Sequence, residues 1–184
     1  MTFVSIFGNS MKIREATAVD SELIRNLHLD AFGKEEGPAV SGLAIDLLAD
    51  ETAKPLLALI AETGTDIVGS IIFSAVEVRG SEGIVAYILA PLAVASAFQR
   101  RGVGRALIER GLQMLKDRGT DLVFVLGDPG YYSRYGFTHN HHVSPPYELP
   151  YREAWMAIAL KGDALESASG QILCARSLNA PEHW

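Results

Sequence analysis

The sequence predicts an α/β fold built on a mixed, mostly antiparallel sheet. Three observations predict it. Short, β-rich apolar runs alternate with amphipathic helical stretches along the chain. Two of those runs flank Gly64-Thr65-Asp66, as the strands of a hairpin flank their turn. The run LVFVL at 122–126 is apolar on both faces, as a buried central strand is.

Taken in order, MKIREAT alternates apolar and charged side chains and reads as a half-buried strand. Asp20 then precedes Leu23, Ile24, Leu27 and Ala31 at helical spacing. A break at Gly37-Pro38 separates this helix from a second short one over 39–50. Pro55 introduces the hairpin strands LLALIAETG and DIVGSIIFSAVEV, and residues 84–94 extend the antiparallel meander. Val103, Ala106, Leu107, Gly111, Met114 and Leu115 recur at steps of three and four, and Gly119 just past Arg118 suits a helix C-terminus. After the central strand, a turn at Asp128-Pro129-Gly130 leads into about one turn of helix over 131–135, stopped by Gly136. Residues 155–160 form the last strand. Residues 1–10 precede all patterned segments and are expected to be a disordered leader to a single domain over 11–184.

Composition narrows the function classes. The chain has 184 residues, 48% hydrophobic and 21% charged, as expected of an ordinary globular domain with a full core. Its 16 basic against 22 acidic residues leave a net charge of −6, which argues against a nucleic-acid binder. Any anion site must therefore be local. The N-terminus has no signal-peptide pattern and no apolar run approaches the ~20 residues of a membrane span, so a cytoplasmic protein with no membrane partner is expected. Cys174, the single cysteine, has no internal disulfide partner and reads as a structural thiol.

The local anion site is found in QRRGVGRALIERG, residues 99–111. Unpaired N–H groups at a helix N-terminus, together with the helix dipole, attract anions. Gly102 and Gly104 let a ligand approach the backbone, while Arg100, Arg101 and Arg105 supply cations suited to phosphate oxygens. The same residues also suit a tight strand-to-helix turn with solvated arginines. A Walker A loop would need a lysine after its second glycine, and a Rossmann fingerprint fails at Leu107. Pro91, within the preceding apolar strand, cannot donate to a sheet ladder and marks an edge, a bulge or a parting of strands. Beyond it, Leu92, Ala93 and Val94 have backbone that can bond something other than a strand.

Gln99-Arg100-Arg101-Gly102-Val103-Gly104 resembles the Q/R-x-x-G-x-G/A signature of the Gcn5-related N-acetyltransferase (GNAT) superfamily, and Tyr132-Ser133-Arg134-Tyr135-Gly136-Phe137 resembles its Y-x-x-x-G-F segment. The stretch LVFVLGDPGYYSRYGF is similar to the YhbS-like branch. The resemblance implies the acyl-CoA N-acyltransferase fold, with helices on both sheet faces and a cleft where two central strands diverge. It implies acetyl-CoA as co-substrate, without a metal. The N–H groups of Arg100, Arg101, Gly102, Val103, Gly104 and Arg105 would hold its pyrophosphate. Leu92, Ala93 and Val94 would pair with its pantetheine arm as an added strand. The expected reaction is acetyl transfer by direct attack of an amine, borne by a small molecule or a protein. An N–H near Val94 would meet the thioester oxygen and Tyr132 would act as acid toward the leaving thiolate. A homodimer is compatible with this reading, and a non-catalytic acyl-CoA sensor is its alternative. No base stands out: Glu77 and Glu82 suit surface charge as well as catalysis, and Glu148 in PPYELPY suits the lining of an acceptor pocket, although nothing in the spacing requires it. His139, His141 and His142 lack partner ligands at metal spacing and read as a polar loop. Acceptor specificity is expected in segments 32–50 and 139–151.

Overall fold

The computed structural model describes residues 2–6 and 9–184. These form two compact units interleaved along the chain, the first from residues up to 49, 56–73 and 91–111, the second from 50–55, 74–90 and 112–184.

In the first unit, β1 (Thr2–Ile6) pairs antiparallel with β2 (Asn9–Glu15), from Thr2 opposite Ile13 to Ile6 opposite Asn9. Residues 2–6, within the expected leader, are thus paired strand, and the Thr, Phe, Val and Ile of TFVSI suit one. Met1, Phe7 and Gly8 lie outside the described residues. On its other edge β2 pairs antiparallel with β3 (Leu56–Thr63), which turns through Gly64 at φ 65° into β4 (Asp66–Arg79). The alternation read from MKIREAT holds, with Met11 and Ile13 buried.

The helical segment α1 (Ser21–Ala49) breaks at Gly33, where φ is 69° and ψ −162°. Only glycine adopts that conformation without strain, so the break falls there and not at Gly37-Pro38. Gly37 has a different role: a Cβ there would lie 3.1 Å from the Leu29 carbonyl oxygen. The two halves fold that closely together, and Pro38 sits inside the second.

β5 (Ala86–Val94) and α2 (Val103–Asp117) follow. The first half of α2 lies on β4 through two glycines. A Cβ on Gly69 would come within 2.7 Å of Val103 Cγ1 and 2.9 Å of Leu107 Cδ1, and one on Gly111 would enter the Phe73 ring. Val103, Leu107 and Ile108 are buried along this seam, as the amphipathic spacing predicts.

In the second unit, β5 pairs parallel with β6 (Leu122–Leu126), Ala86 opposite Leu122 through Leu89 opposite Val125. A parallel pair needs a crossover, and α2 lies on it. β6 also pairs antiparallel with β8 (Trp155–Ala159), and this double pairing explains why LVFVL is apolar on both faces. β7 (His142–Ser144) runs parallel to β9 (Ser169–Leu173), and β9 runs antiparallel to the end of β4. The sheet is therefore mixed and mostly antiparallel. Phe124 of β6 stacks on Trp155 at 5.2 Å, and the Trp155 indole donates to the Val143 carbonyl. The C-terminal segment is tied to residues 50–55 by Asp50, whose carboxylate accepts from the Ser177 amide and hydroxyl, both at 2.9 Å.

Candidate active site

The path into α2 is built to hold an unusual backbone. Asp30 accepts hydrogen bonds from the Ser96 amide at 2.7 Å and its hydroxyl at 3.0 Å, pinning the short 3-10 turn Ser96–Phe98. The Ala95 amide donates to Val68, and the Gln99 side chain reaches back to the Val94 carbonyl. The chain then passes through two left-handed residues, Arg100 at φ 59° and Gly102 at φ 87°. Gly102 pays little for this; Arg100, a residue with a Cβ, is strained. Arg100 is the only non-glycine with positive φ among the described residues.

The first bond into α2 runs from the Ala106 amide to the Gly102 carbonyl. The amides of Val103, Gly104 and Arg105 therefore occupy first-turn positions, where a helix provides no acceptor. No acidic residue lies in that turn to compensate the dipole. Arg100 is exposed, and the Arg101 guanidinium lies over the Phe98 ring at 5.7 Å. Arg105 differs from expectation: its Nε donates to Glu109 at 2.8 Å, so its head is directed along the helix, although its amide remains in the first turn.

Upstream, the pairing of β5 with β6 ends at Leu89, two residues before Pro91. Proline has no N–H to continue the ladder, and Leu92, Ala93 and Val94 complete the strand, with Ala93 buried. The anion loop and these three residues belong to the first unit, whereas Tyr132 belongs to the second.

Tyr132 ends the single helical turn Pro129–Tyr132, capped by the Asp128 carboxylate accepting from the Gly130 amide at 2.8 Å. Its ring meets Tyr131 edge-on at 5.0 Å and Phe137 at 5.8 Å. A Cβ on Gly127 would enter the same ring, so that glycine makes room for it. Burial, reinforced by neighbouring Tyr135, pushes the Tyr132 phenol up to about 12. It stays protonated across the physiological range.

Glu77 and Glu82 are both exposed, Glu77 opposite Leu173 on the β4 edge. The histidines separate: His139 and His142 are exposed, while His141 packs edge-on against Phe124 and Trp155 and is kept neutral by burial, which lowers its pKa. Among the described residues no three His, Cys, Asp or Glu side chains converge as a metal site would require. Sequence reasoning missed His28, which is fully buried. Its Nδ1 lies 2.8 Å from the Ile24 carbonyl and its Nε2 is unpaired. Helical i, i+4 spacing was the available signal, but it cannot distinguish a core histidine from a working one.

β5 thus leaves its ladder with β6 before Pro91, and a pinned turn through Arg100 and Gly102 leads into a helix whose first turn carries no acidic residue. Comparison with known proteins gives the family. The acetyltransferase (GNAT) domain family matches residues 12–140. The chain is 35% identical over 162 residues to the uncharacterized N-acetyltransferase YjhQ of Escherichia coli K12, covering 85% of this chain and 87% of that protein. It is 32% identical over 159 residues to the uncharacterized N-acetyltransferase YhbS of the same strain, covering 86% and 89%. Among solved structures, E. coli YhbS in complex with CoA aligns with a TM-score of 0.82 at 27% identity, over 98% of this chain and 97% of that one. A Brucella melitensis GNAT acetyltransferase in complex with acetyl-CoA aligns at 0.73, also at 27% identity, over 92% and 98%. The chain belongs to the GNAT acetyltransferase family.

Proposed function

We propose that the protein transfers acetyl from acetyl-CoA to an amine by direct attack, with no acyl-enzyme intermediate. The observation that carries this reading is the turn at Arg100 and Gly102, held in two left-handed conformations directly before the first turn of α2, which carries no acidic residue. Strain of this kind persists where the surrounding structure holds it for a purpose. A pyrophosphate would take those amides, with Arg100 and Arg101 sharing its charge. Relatives with bound CoA and acetyl-CoA support the choice of ligand.

The backbone of Leu92, Ala93 and Val94 pairs with the pantetheine arm as one strand pairs with another. An N–H in this segment stabilises the oxyanion formed as the amine attacks the thioester carbon. The amine then loses a proton to water, the C–S bond breaks and the sulfur leaves as thiolate. Tyr132 donates to that thiolate. A phenol near 12 facing a thiol near 8.5 makes complete transfer uphill by about 5 kcal/mol. Tyr132 therefore acts first as a hydrogen-bond donor to the developing charge; the proton moves fully only as CoA is released, and the phenolate then regains a proton from water. Cys174 is buried, with burial raising its thiol pKa to about 11, and is a poor nucleophile for a covalent route.

The test is initial-rate kinetics, following thiol release over a panel of primary amines at several acetyl-CoA concentrations. Direct attack gives intersecting double-reciprocal lines; parallel lines would require a covalent intermediate. Tyr132→Phe is expected to lower kcat about 10²-fold with little change in acetyl-CoA affinity. An unchanged kcat would remove Tyr132 from the chemistry.

A further inference from the structure

The second unit holds a cavity of about 490 Å³, within the range of about 300 to 1,000 Å³ typical of small-molecule sites. His141, Tyr147, Glu148, Arg152, Trp155 and Gln171 are among its lining residues. Most of its polar groups are already committed to backbone. The Trp155 indole donates to Val143, the Tyr147 hydroxyl to Asn179 and the Gln171 amide to Pro145. His141 is fixed between the Val143 amide and the Trp155 carbonyl. Two charges remain. Glu148 and Arg152 line the same cavity, and among the described residues neither side chain has a hydrogen-bond or ion-pair partner. Opposite charges four residues apart on one wall, left unpaired to each other beside aromatic side chains, match a ligand that carries both charges and an apolar body.

We propose that this cavity binds a small zwitterion bearing a primary ammonium and a carboxylate, an amino acid with an apolar or aromatic side chain. Glu148 takes the ammonium and Arg152 takes the carboxylate, for which a guanidinium offers a two-point contact. Tyr147 and Trp155 receive the side chain. Binding stands on the cavity alone; that the bound amine is the acetyl acceptor rests on the acetyl-transfer reading above.

Three probes separate the parts: L-phenylalanine, 2-phenylethylamine without the carboxylate, and 3-phenylpropionate without the amine. In calorimetric titrations, L-phenylalanine is expected to bind at least about tenfold more tightly than either fragment, since each lost charged contact costs at least that factor. Glu148→Gln weakens L-phenylalanine and 2-phenylethylamine about tenfold and leaves 3-phenylpropionate unchanged; Arg152→Gln weakens L-phenylalanine and 3-phenylpropionate and leaves the amine unchanged. Both side chains are exposed, so both variants fold, and acetyl-CoA titration of the same samples checks this. No binding of any probe, fragments as tight as the zwitterion, or indifference to both substitutions would overturn the proposal. Loss of acetyl-CoA binding with L-phenylalanine binding intact would instead sink acetyl transfer and leave this site standing.

Discussion

At the residue scale, two contacts make sharp predictions. Gly127 leaves the space that the Tyr132 ring fills, so Gly127→Ala must displace the phenol without touching the anion loop. The expected outcome is a fall in kcat approaching that of Tyr132→Phe with acetyl-CoA affinity preserved; a variant with wild-type kcat would show that the ring position is not used. The second contact is the clamp at Asp20. Both its oxygens meet Arg14 at 2.8 Å, the Thr17 amide and hydroxyl add two bonds, and Arg14 also reaches Glu62. The Arg14 guanidinium holds the Asp20 carboxyl well below the usual carboxylate range. A depressed native pKa adds stability that is complete above the unfolded value of about 4 and disappears as pH falls through the native one. Because Arg14 remains partly exposed, Asp20→Asn should cost about 2 to 3 kcal/mol at pH 7, somewhat less than the roughly 3 to 5 kcal/mol of a fully buried broken pair. That gap should narrow as pH is lowered below 4, which urea titrations at a series of pH values would show. A constant gap would mean that shape, not charge, makes the contact.

At the element scale, α2 is the clearest case of agreement between sequence and structure, because its apolar residues recur at three and four and one face meets β4. The seam tolerates little: Gly111→Ala should destabilise by about 1 to 3 kcal/mol, as overpacking does, since the new methyl enters the Phe73 ring. An unchanged Tm would mean that the helix moves aside freely. The turn before α2 gives a prediction with two signs. Arg100→Gly relieves a left-handed conformation, worth about 0.5 to 1 kcal/mol in stability, yet removes a cation from the loop and should weaken acetyl-CoA binding. Higher Tm together with unchanged affinity would free Arg100 of any ligand role. Other elements were less legible. Gly37-Pro38 reads as the break in α1 because both residues are helix breakers, but Gly33 takes the turn and Gly37 serves close packing. HVS and SGQIL are short and mostly exposed, so β7 and β9 have no periodicity to read; they are strands because they pair with each other and with β4.

At the scale of the molecule, the order strand, helix, hairpin, strand, helix, strand was readable because each core element carries its own period. What was not readable depends on contacts distant in sequence. Glu148 could be named from the chain, but its cavity also needs Arg152, Trp155 and Gln171, which come together only when β7 pairs with β9 and the Trp155 indole of β8 bonds to Val143 of β7. The anion loop was legible for the opposite reason, since its glycines, arginines and helix start are contiguous. The whole account depends on that loop holding the pyrophosphate of acetyl-CoA. Among the described residues no helix is long and apolar enough to cross a membrane. The most direct measurement is a thermal-shift titration with acetyl-CoA and CoA, against ATP and NAD. At 100 times its Kd a ligand stabilises by about 2.7 kcal/mol, which raises Tm by roughly 5 to 10 °C for a chain of this length. The account predicts that shift with acetyl-CoA and CoA and none with ATP or NAD; no shift with either CoA species would contradict it.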